Sequence, residues 1–490
     1  MNVLLIYPQN PETFWSFKHV LKYIKRKSTF PPLGLLTIAS VLPEEWNLKL
    51  IDENVREITD ENIEWADLIF ISAMIVQKTR AQEIINHCKT FNKTVVVGGP
   101  VFTTQPNSFH NIDHYILNEA EITLPVFLED FKKGKAKKIY SSNEKPDITQ
   151  TQLPKWDLID FKDYSTMAVQ YSRGCPFNCE FCDIVIMNGR KPRTKSNNQM
   201  ILEMEELYIK GWRGSVFIVD DNFIGNKTTV KKMLPRLIKW QRAHKYPFKF
   251  ITEASMNLAD DPVLMRLMSL ANFHKVFLGI ETPKNESLKE CGKAQNTNRN
   301  LAESVQIIQQ NGMQVMGGFI VGFDNDTDNI FEAQIKFIQQ TGVVTAMVGV
   351  LTALPQTRLW HRLKEEGRLL EDSSGENTDG NVNFIPKMGR DKLMDGYAKL
   401  MSTIYSPHEY YKRIHTFVNN YKPTVRSKLM KKDIYAFFSS IIKIGLISRQ
   451  RFLYWKLIIR TLFKRTKALP EVIEMAICCL HFERISKSLR

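Results

Sequence analysis

Apolar runs of strand length recur through the first 140 residues, at 1–8, 48–52, 68–72, 94–98 and 114–117, and polar or helix-forming stretches separate them. Strands that alternate with helical segments, rather than with two-residue turns, predict a parallel, doubly wound (Rossmann-like) α/β domain over residues 1–140. The opening run has neither a basic leader nor a cleavage site, so it reads as the first strand and not as a secretory signal. A polar, turn-rich stretch at 141–160 reads as a linker. A second series then begins, with apolar runs at 167–171, 216–219, 277–281 and 318–323 and another closing at 252–255. Helical periodicity at 198–210, 228–243, 262–271 and 298–311 fills the gaps. This predicts βα units on a parallel sheet or partial barrel over 161–370. Residues 371–383 have no apolar period and are expected to form a mobile loop, beyond which a helical region runs to 490.

Composition adds scale and compartment. A chain of 490 residues with 43% hydrophobic positions has material for two or three cores. Seven cysteines without a repeated spacing argue for a reducing, cytoplasmic compartment. The net charge is +15, and residues 421–490 hold sixteen Lys or Arg against four Asp or Glu. On a helix, Lys456, Arg460 and Lys464 share one stripe, while Phe452, Trp455, Ile459, Leu462 and Phe463 cover much of the rest. Three readings stay open for this tail: a docked helix, peripheral contact with the inner, anionic membrane surface, or a nucleic-acid patch, the least favoured of the three. The apolar stretch 434–447, interrupted by Lys443, is too short to span a bilayer. Five basic residues within 18–27 read as a solvated face.

Three of the cysteines stand on one loop, in the run Ser172-Arg173-Gly174-Cys175-Pro176-Phe177-Asn178-Cys179-Glu180-Phe181-Cys182. Thiolates spaced by four and three residues can ligate three irons of a [4Fe-4S] cluster and leave the fourth open. Structural zinc or a disulfide is the bland alternative, but a second Cys-x-x-Cys knuckle is absent. Cys88, Cys291, Cys478 and Cys479 are scattered and read as inert packing thiols.

This loop, with Phe181 just before its third cysteine, resembles that of radical S-adenosylmethionine (SAM) enzymes. The resemblance implies a partial (β/α)6 barrel, with Cys175, Cys179 and Cys182 as cluster ligands. It also implies SAM contacts from Phe181, Asp220, Asp221, Asn222, Glu253, Ser255, Gly279, Glu281, Ile320 and Gly322. In the amino-terminal domain, Pro31-Pro32-Leu33-Gly34, Ser72-Ala73-Met74, Gly98-Gly99-Pro100 and Asn118-Glu119-Ala120-Glu121 resemble loops with which such enzymes hold cobalamin. Tyr7, Pro8, Leu33, Gly34, Ser72, Ala73, Met74, Gly98, Gly99, Pro100, Glu119, Ala120 and Glu121 are the implied contacts. The Asp-x-His-x-x-Gly signature that places a histidine beneath cobalt is missing, since Asp113-His114 has the wrong spacing. Over most of the chain, with Arg193-Thr194-Lys195-Ser196 and Asp221-Asn222-Phe223-Ile224-Gly225-Asn226 close to the family pattern, the sequence resembles the hopanoid C-2 methylase group. That resemblance implies methyl transfer from methylcobalamin to an unactivated carbon of a lipid-like substrate, through a 5′-deoxyadenosyl radical and with a flavodoxin- or ferredoxin-like electron donor. Cyclisation, oxidation or carbon coupling without methyl transfer is the rival within the same cofactor class, and a nucleic-acid-modifying or nucleic-acid-binding protein is the rival from another class.

Overall fold

The computed structural model describes every residue except 15, 377–380, 424–430 and 489–490. Its amino-terminal sheet consists of β1 (Asn2–Tyr7), β2 (Asn47–Asp52), β3 (Leu68–Ser72), β4 (Thr94–Gly98), β5 (His114–Ile116) and β6 (Ile139–Tyr140). The strands lie in the order β2-β1-β3-β4-β5-β6, all parallel. Alternate residues feed opposite cores. Leu4, Ile6, Ile69 and Val95 pack with Ile84 and Ile85 on one face, while Val3, Leu5, Phe70 and Val96 pack with Leu36 and Phe127 on the other. This explains why the strands read as unbroken apolar runs: a parallel sheet is covered on both sides. The winding direction reverses between β1 and β3, and a crevice opens beyond the carboxyl ends of the strands at such a switch.

The linker is docked rather than loose. Ile148 and Trp156 are buried, and the Tyr164 hydroxyl donates to buried Asp52 at 3.0 Å. The second sheet starts at β7 (Thr166–Val169). A two-stranded clip of β8 (Ser172–Arg173) and β9 (Arg193–Thr194) follows, and then β10 (Gly214–Ile218), β11 (Phe248–Ala254), β12 (Phe273–Glu281), β13 (Gln314–Val321) and β14 (Ala346–Val350). Strands β7, β10, β11, β12, β13 and β14 pair in that order, all parallel, as an open (β/α)6 half-barrel. Helices Asn197–Ile209, Lys227–Ala243, Pro262–Leu270, Leu301–Gln310 and Ile330–Thr341 form the outer layer. Local chemistry sets their starts: Ser196, Asn226, Asp261 and Asn300 each accept a backbone N–H at the amino terminus, as good helix caps do.

The segment 371–383, expected as a mobile loop, has no helix or strand and makes contacts with the rest of the fold where it is described. Ser373 is buried, a Cβ on Gly375 would sit 2.7 Å from Ile75 Cβ, and Asn383 exchanges hydrogen bonds with the Ala353 backbone at 3.0 and 2.9 Å. Residues 377–380 lie outside the described part. The carboxyl-terminal helices continue the barrel core. The Arg413 guanidinium donates to Gln339 and to the carbonyls of Ile404 and Val344. Helix Leu469–Ser488 also grips the amino-terminal segment, where Phe14 stacks on Phe482 at 4.6 Å. Among the described residues no helix is long and apolar enough to cross a membrane.

Candidate active site

Strands β8 and β9 pinch the ends of the loop 174–192, which carries the three cysteines. Gly174 enters it at φ +96°, where a Cβ would lie 2.8 Å from the Lys191 carbonyl oxygen and 2.9 Å from that of Gly189. Only glycine fits. The loop is then tied down from several sides. Cys175 N–H donates to Gly189 at 3.2 Å, Glu180 N–H to Cys291 at 2.9 Å and Leu359 N–H to Glu180 at 3.0 Å. The Glu180 carboxylate meets Arg362 Nε at 2.7 Å.

All seven thiols are free, which removes the disulfide alternative. Burial pushes Cys175, Cys179 and Cys182 above the usual thiol range, so they ionise only against a cationic centre. Among the described residues no three His, Cys, Asp or Glu side chains converge on a position for a single metal ion. A four-iron cube needs no such convergence, because each thiolate takes its own iron.

Around the loop the strand ends supply polar groups. Asp220, wholly buried after β10, accepts from Tyr171 N–H at 2.7 Å and from the Ser172 hydroxyl at 2.6 Å. Desolvation pushes its carboxyl up to about 7. Asp221 accepts from Gly174 N–H at 2.7 Å and from Asn188 at 2.9 Å. These two carboxylates therefore hold the cysteine loop itself. The Asn222 amide reaches Cys175 Sγ at 3.9 Å and Ser255 Oγ at 3.2 Å, and Ser255 donates to Asn257 at 2.7 Å. Glu253 on β11 is half-buried. Desolvation, together with the charges of Asp221 and Asp220, raises it to about 7.

Lys293 lies opposite. Burial would lower it, but Glu281 at 2.6 Å and the neighbouring Cys179 overrule burial and raise it above the usual lysine range. Glu281 adopts φ +65°, and Gly279 leaves the space for this pair, because a Cβ there would touch Glu281 Oε1 and lie 2.6 Å from Lys293 Nζ. Gln295 lies near Cys179, and its Oε1 is buried without a hydrogen-bond partner. An orphaned acceptor and a half-buried carboxylate beside three desolvated thiols fit a cationic sulfonium ligand next to a cluster. Ile320 lies at the end of β13 and Gly322 just beyond it; the Gly322 N–H donates to Asp326 at 2.9 Å. Phe181 contacts Phe323 at 6.3 Å, which joins this strand end to the cysteine loop.

The amino-terminal candidates also fall at strand ends. Tyr7 and Pro8 close β1, Ser72, Ala73 and Met74 close β3, and Gly98, Gly99 and Pro100 close β4, while Leu33 and Gly34 begin helix Leu33–Ala39. Gly99 adopts φ +94°, with a Cβ position 2.7 Å from Ser72 Oγ. Gln77 ties the β1 and β3 ends by donating to the Pro8 carbonyl at 2.5 Å and accepting from Met74 N–H at 2.8 Å. Met74 is half exposed beyond the central strands, as a wall for a large flat ligand requires. Glu119 and Glu121, flanking Ala120, meet cations from the barrel. Arg173 reaches Glu119 at 2.8 Å and Glu121 at 2.7 Å, and Arg193 reaches Glu119 at 2.8 Å. The chain reading missed Arg173, Arg193, Lys293 and Gln295. The Arg173–Glu119 separation of 54 residues leaves no local signal for the first of these pairs.

A doubly wound domain whose strand ends are ion-paired to the cysteine loop of a parallel half-barrel defines a radical SAM enzyme with a corrin-binding domain. Comparison with known proteins gives the same class. Residues 22–128 match the B12 binding domain family, 169–338 the Radical SAM superfamily and 357–490 a domain of unknown function, DUF4070. An uncharacterized methyltransferase of Synechocystis sp. is 48% identical over 84% of this chain and 78% of its own length. The hopanoid C-2 methylase of Rhodopseudomonas palustris is 32% identical over 94% of this chain and 89% of its own length. Among solved structures, the fold resembles the cobalamin-dependent SAM radical enzyme OxsB (TM-score 0.65, 16% identity, covering 100% of this chain and 80% of that one). It also resembles the radical SAM methyltransferase TsrM of Kitasatospora setae (TM-score 0.61, 15% identity, covering 95% and 99%). The chain belongs to the cobalamin-dependent radical SAM methyltransferase family, whose cofactors are a [4Fe-4S] cluster, SAM and cobalamin.

Proposed function

We propose that the chain methylates an unactivated carbon of a lipid-like substrate, with a hopanoid as the reference scaffold. The observation that carries this reading is the ionic seam of Glu119 and Glu121 with Arg173 and Arg193. It ties the segment after β5, where the amino-terminal candidates cluster, to the loop that begins at Gly174, an arrangement that supports placing the two cofactors close to each other. The hopanoid methylase relative, aligned over nearly the full chain, supports the substrate class.

When bound, the cluster supplies the electron that cleaves SAM, and the corrin supplies the methyl group. The protein's part is positioning. Cys175, Cys179 and Cys182 hold the cluster, and Asp220 and Asp221 fix the backbone that presents them. Asn222, Glu253 and Ser255 orient the amino and ribose groups of SAM, Gly279 and Glu281 flank it, and Ile320 and Gly322 border its adenine. Tyr7, Pro8, Leu33, Gly34, Ser72, Ala73, Met74, Gly98, Gly99 and Pro100 form the corrin wall. The seam of Glu119 and Glu121 with Arg173 and Arg193 holds the two domains in register, so that the cofactors are positioned relative to each other. A flavodoxin- or ferredoxin-like protein delivers the electron.

The test is anaerobic incubation of reduced, reconstituted protein with methyl-labelled SAM and a bacterial lipid extract. Label entering lipid is the expected result. Deoxyadenosine formation without label transfer would favour cyclisation, oxidation or coupling instead.

A further inference from the structure

The carboxyl-terminal helices bury one face and leave a second apolar face in solvent. On Lys431–Ser440 and the π-turn Ile441–Ile447 that continues it, Ile434, Phe438, Ile442 and Leu446 recur every fourth residue and are 48, 58, 53 and 60% exposed. Helix Arg451–Lys464 turns Tyr454, Leu457, Ile458 and Thr461 inward. Its outward stripe is Phe452, Trp455, Ile459 and Phe463, of which Phe452 is 75% and Phe463 87% exposed. The two stripes adjoin. The Trp455 indole donates to the Gly445 carbonyl at 3.0 Å, and Gly445 permits that approach because a Cβ there would already lie 3.3 Å from the Trp455 ring.

An ordinary docked helix has no use for such an outer face, since an apolar stripe in water is a cost unless something covers it. The charge around it selects the cover. Lys443, Arg451, Lys456 and Lys464 are exposed on the same elements, and Arg449 in the turn between them. The basic run at 18–27, remote in the chain, is folded alongside: Lys25 lies over the Tyr435 ring at 4.7 Å and Lys443 over the Tyr23 ring at 4.3 Å.

We propose that this two-helix face is a membrane-docking surface that inserts Phe452, Phe463 and the 434–446 stripe into the acyl boundary of an anionic lipid bilayer, with the surrounding lysines and arginines on the head groups. Bulk apolar side chains ringed by cations match an anionic interface. They fit nucleic acid poorly, because its phosphates offer no apolar layer. The proposal rests on the exposed face alone and is independent of which molecule is methylated.

The test uses full-length, cofactor-loaded protein in flotation assays. Mixed phosphatidylglycerol–phosphatidylcholine vesicles are compared with pure phosphatidylcholine vesicles and with a structured RNA. The expected result is flotation with the anionic vesicles only, weakened by salt. The double variant F452S/F463S, with unchanged cofactor content and melting temperature, should need about ten-fold more lipid for half-binding. Failure of the wild type to float with anionic vesicles, or an unchanged F452S/F463S, overturns the proposal. So does a self-association abolished by F463S, or tighter binding to RNA than to vesicles. Because flotation needs no turnover, these results are separable from loss of methylation.

Discussion

Removing the charge of Glu119 should loosen the cysteine loop far more than removing that of Glu121. Glu119 is nearly buried and serves Arg173 at 2.8 Å and Arg193 at 3.0 and 2.8 Å. In E119Q, Arg173 keeps Glu121 at 2.7 Å and Gln170 at 2.7 Å, but Arg193 loses its carboxylate and keeps only neutral acceptors, the new amide oxygen and the carbonyls of Pro146 and Asn188. Breaking one partner of a buried ion pair costs about 3 kcal/mol, the lower end of the usual range, because a charge is left uncompensated. In E121Q both guanidiniums retain a carboxylate, and the cost should be about 1 kcal/mol. Hydrogen exchange of the amides within 172–194 in the full-length protein reads this difference directly. At about 1.4 kcal/mol per decade, E119Q should exchange about a hundredfold faster than wild type in this segment and E121Q less than ten-fold faster. Acceleration below about threefold in E119Q, or a larger effect in E121Q, would refute the view that the seam holds the loop.

Gly99→Ala puts a side chain at φ +94° and 2.7 Å from Ser72 Oγ. It should cost about 2 kcal/mol and abolish cobalamin uptake, measured by visible absorption after reconstitution and gel filtration, while iron loading at the barrel persists. Gly279→Ala should separate Lys293 from Glu281, and cluster reduction potentials from redox titration should shift while SAM-free iron content stays constant. The pH profile carries a sign. Desolvation raises the Asp220 carboxyl to about 7, so between the unfolded carboxylate range and that value the folded state holds more protons than the unfolded one. Stability from this group is therefore full at low pH and is lost as pH rises toward 7. D220N should gain about 2 kcal/mol relative to wild type between pH 5.5 and pH 7.5, checked by urea midpoints; a flat difference across that interval would contradict the assignment.

Much of the scaffold was legible because parallel strands read as continuous apolar runs. The expectations at 68–72 and 94–98 coincide with β3 and β4, and the helix expected at 262–271 ends one residue early at Leu270. Strand β14 and helix Ile330–Thr341 were not picked out. Gly342 caps the preceding helix in the left-handed region, but Val343 to Leu354 is one nearly unbroken apolar stretch that does not mark where Ala346–Val350 begins or ends, and β6 is only two residues long. For the site, the cysteine spacing points to candidate cluster ligands because that chemistry lies within one loop. Arg173, Arg193 and Lys293 were not legible. A lone Arg or Lys in a sequence looks like solvated surface, and only the fold shows that Glu119, Glu121 and Glu281 meet them in buried positions. The tail was legible in composition but not in orientation. Its aromatic residues could have faced the core, whereas Phe452 and Phe463 point into solvent.

The measurement closest to the central claim is anaerobic reconstitution of the full-length protein with iron, sulfide and cobalamin, followed by metal analysis and absorption spectroscopy, for wild type and for C175A/C179A/C182A. Wild type should retain about four irons and four sulfides per chain together with a corrin band, and the triple variant should retain the corrin but no cluster. Colourless, iron-free wild type, or a triple variant that still holds its cluster, would contradict a site built from these three thiols beside a cobalamin domain.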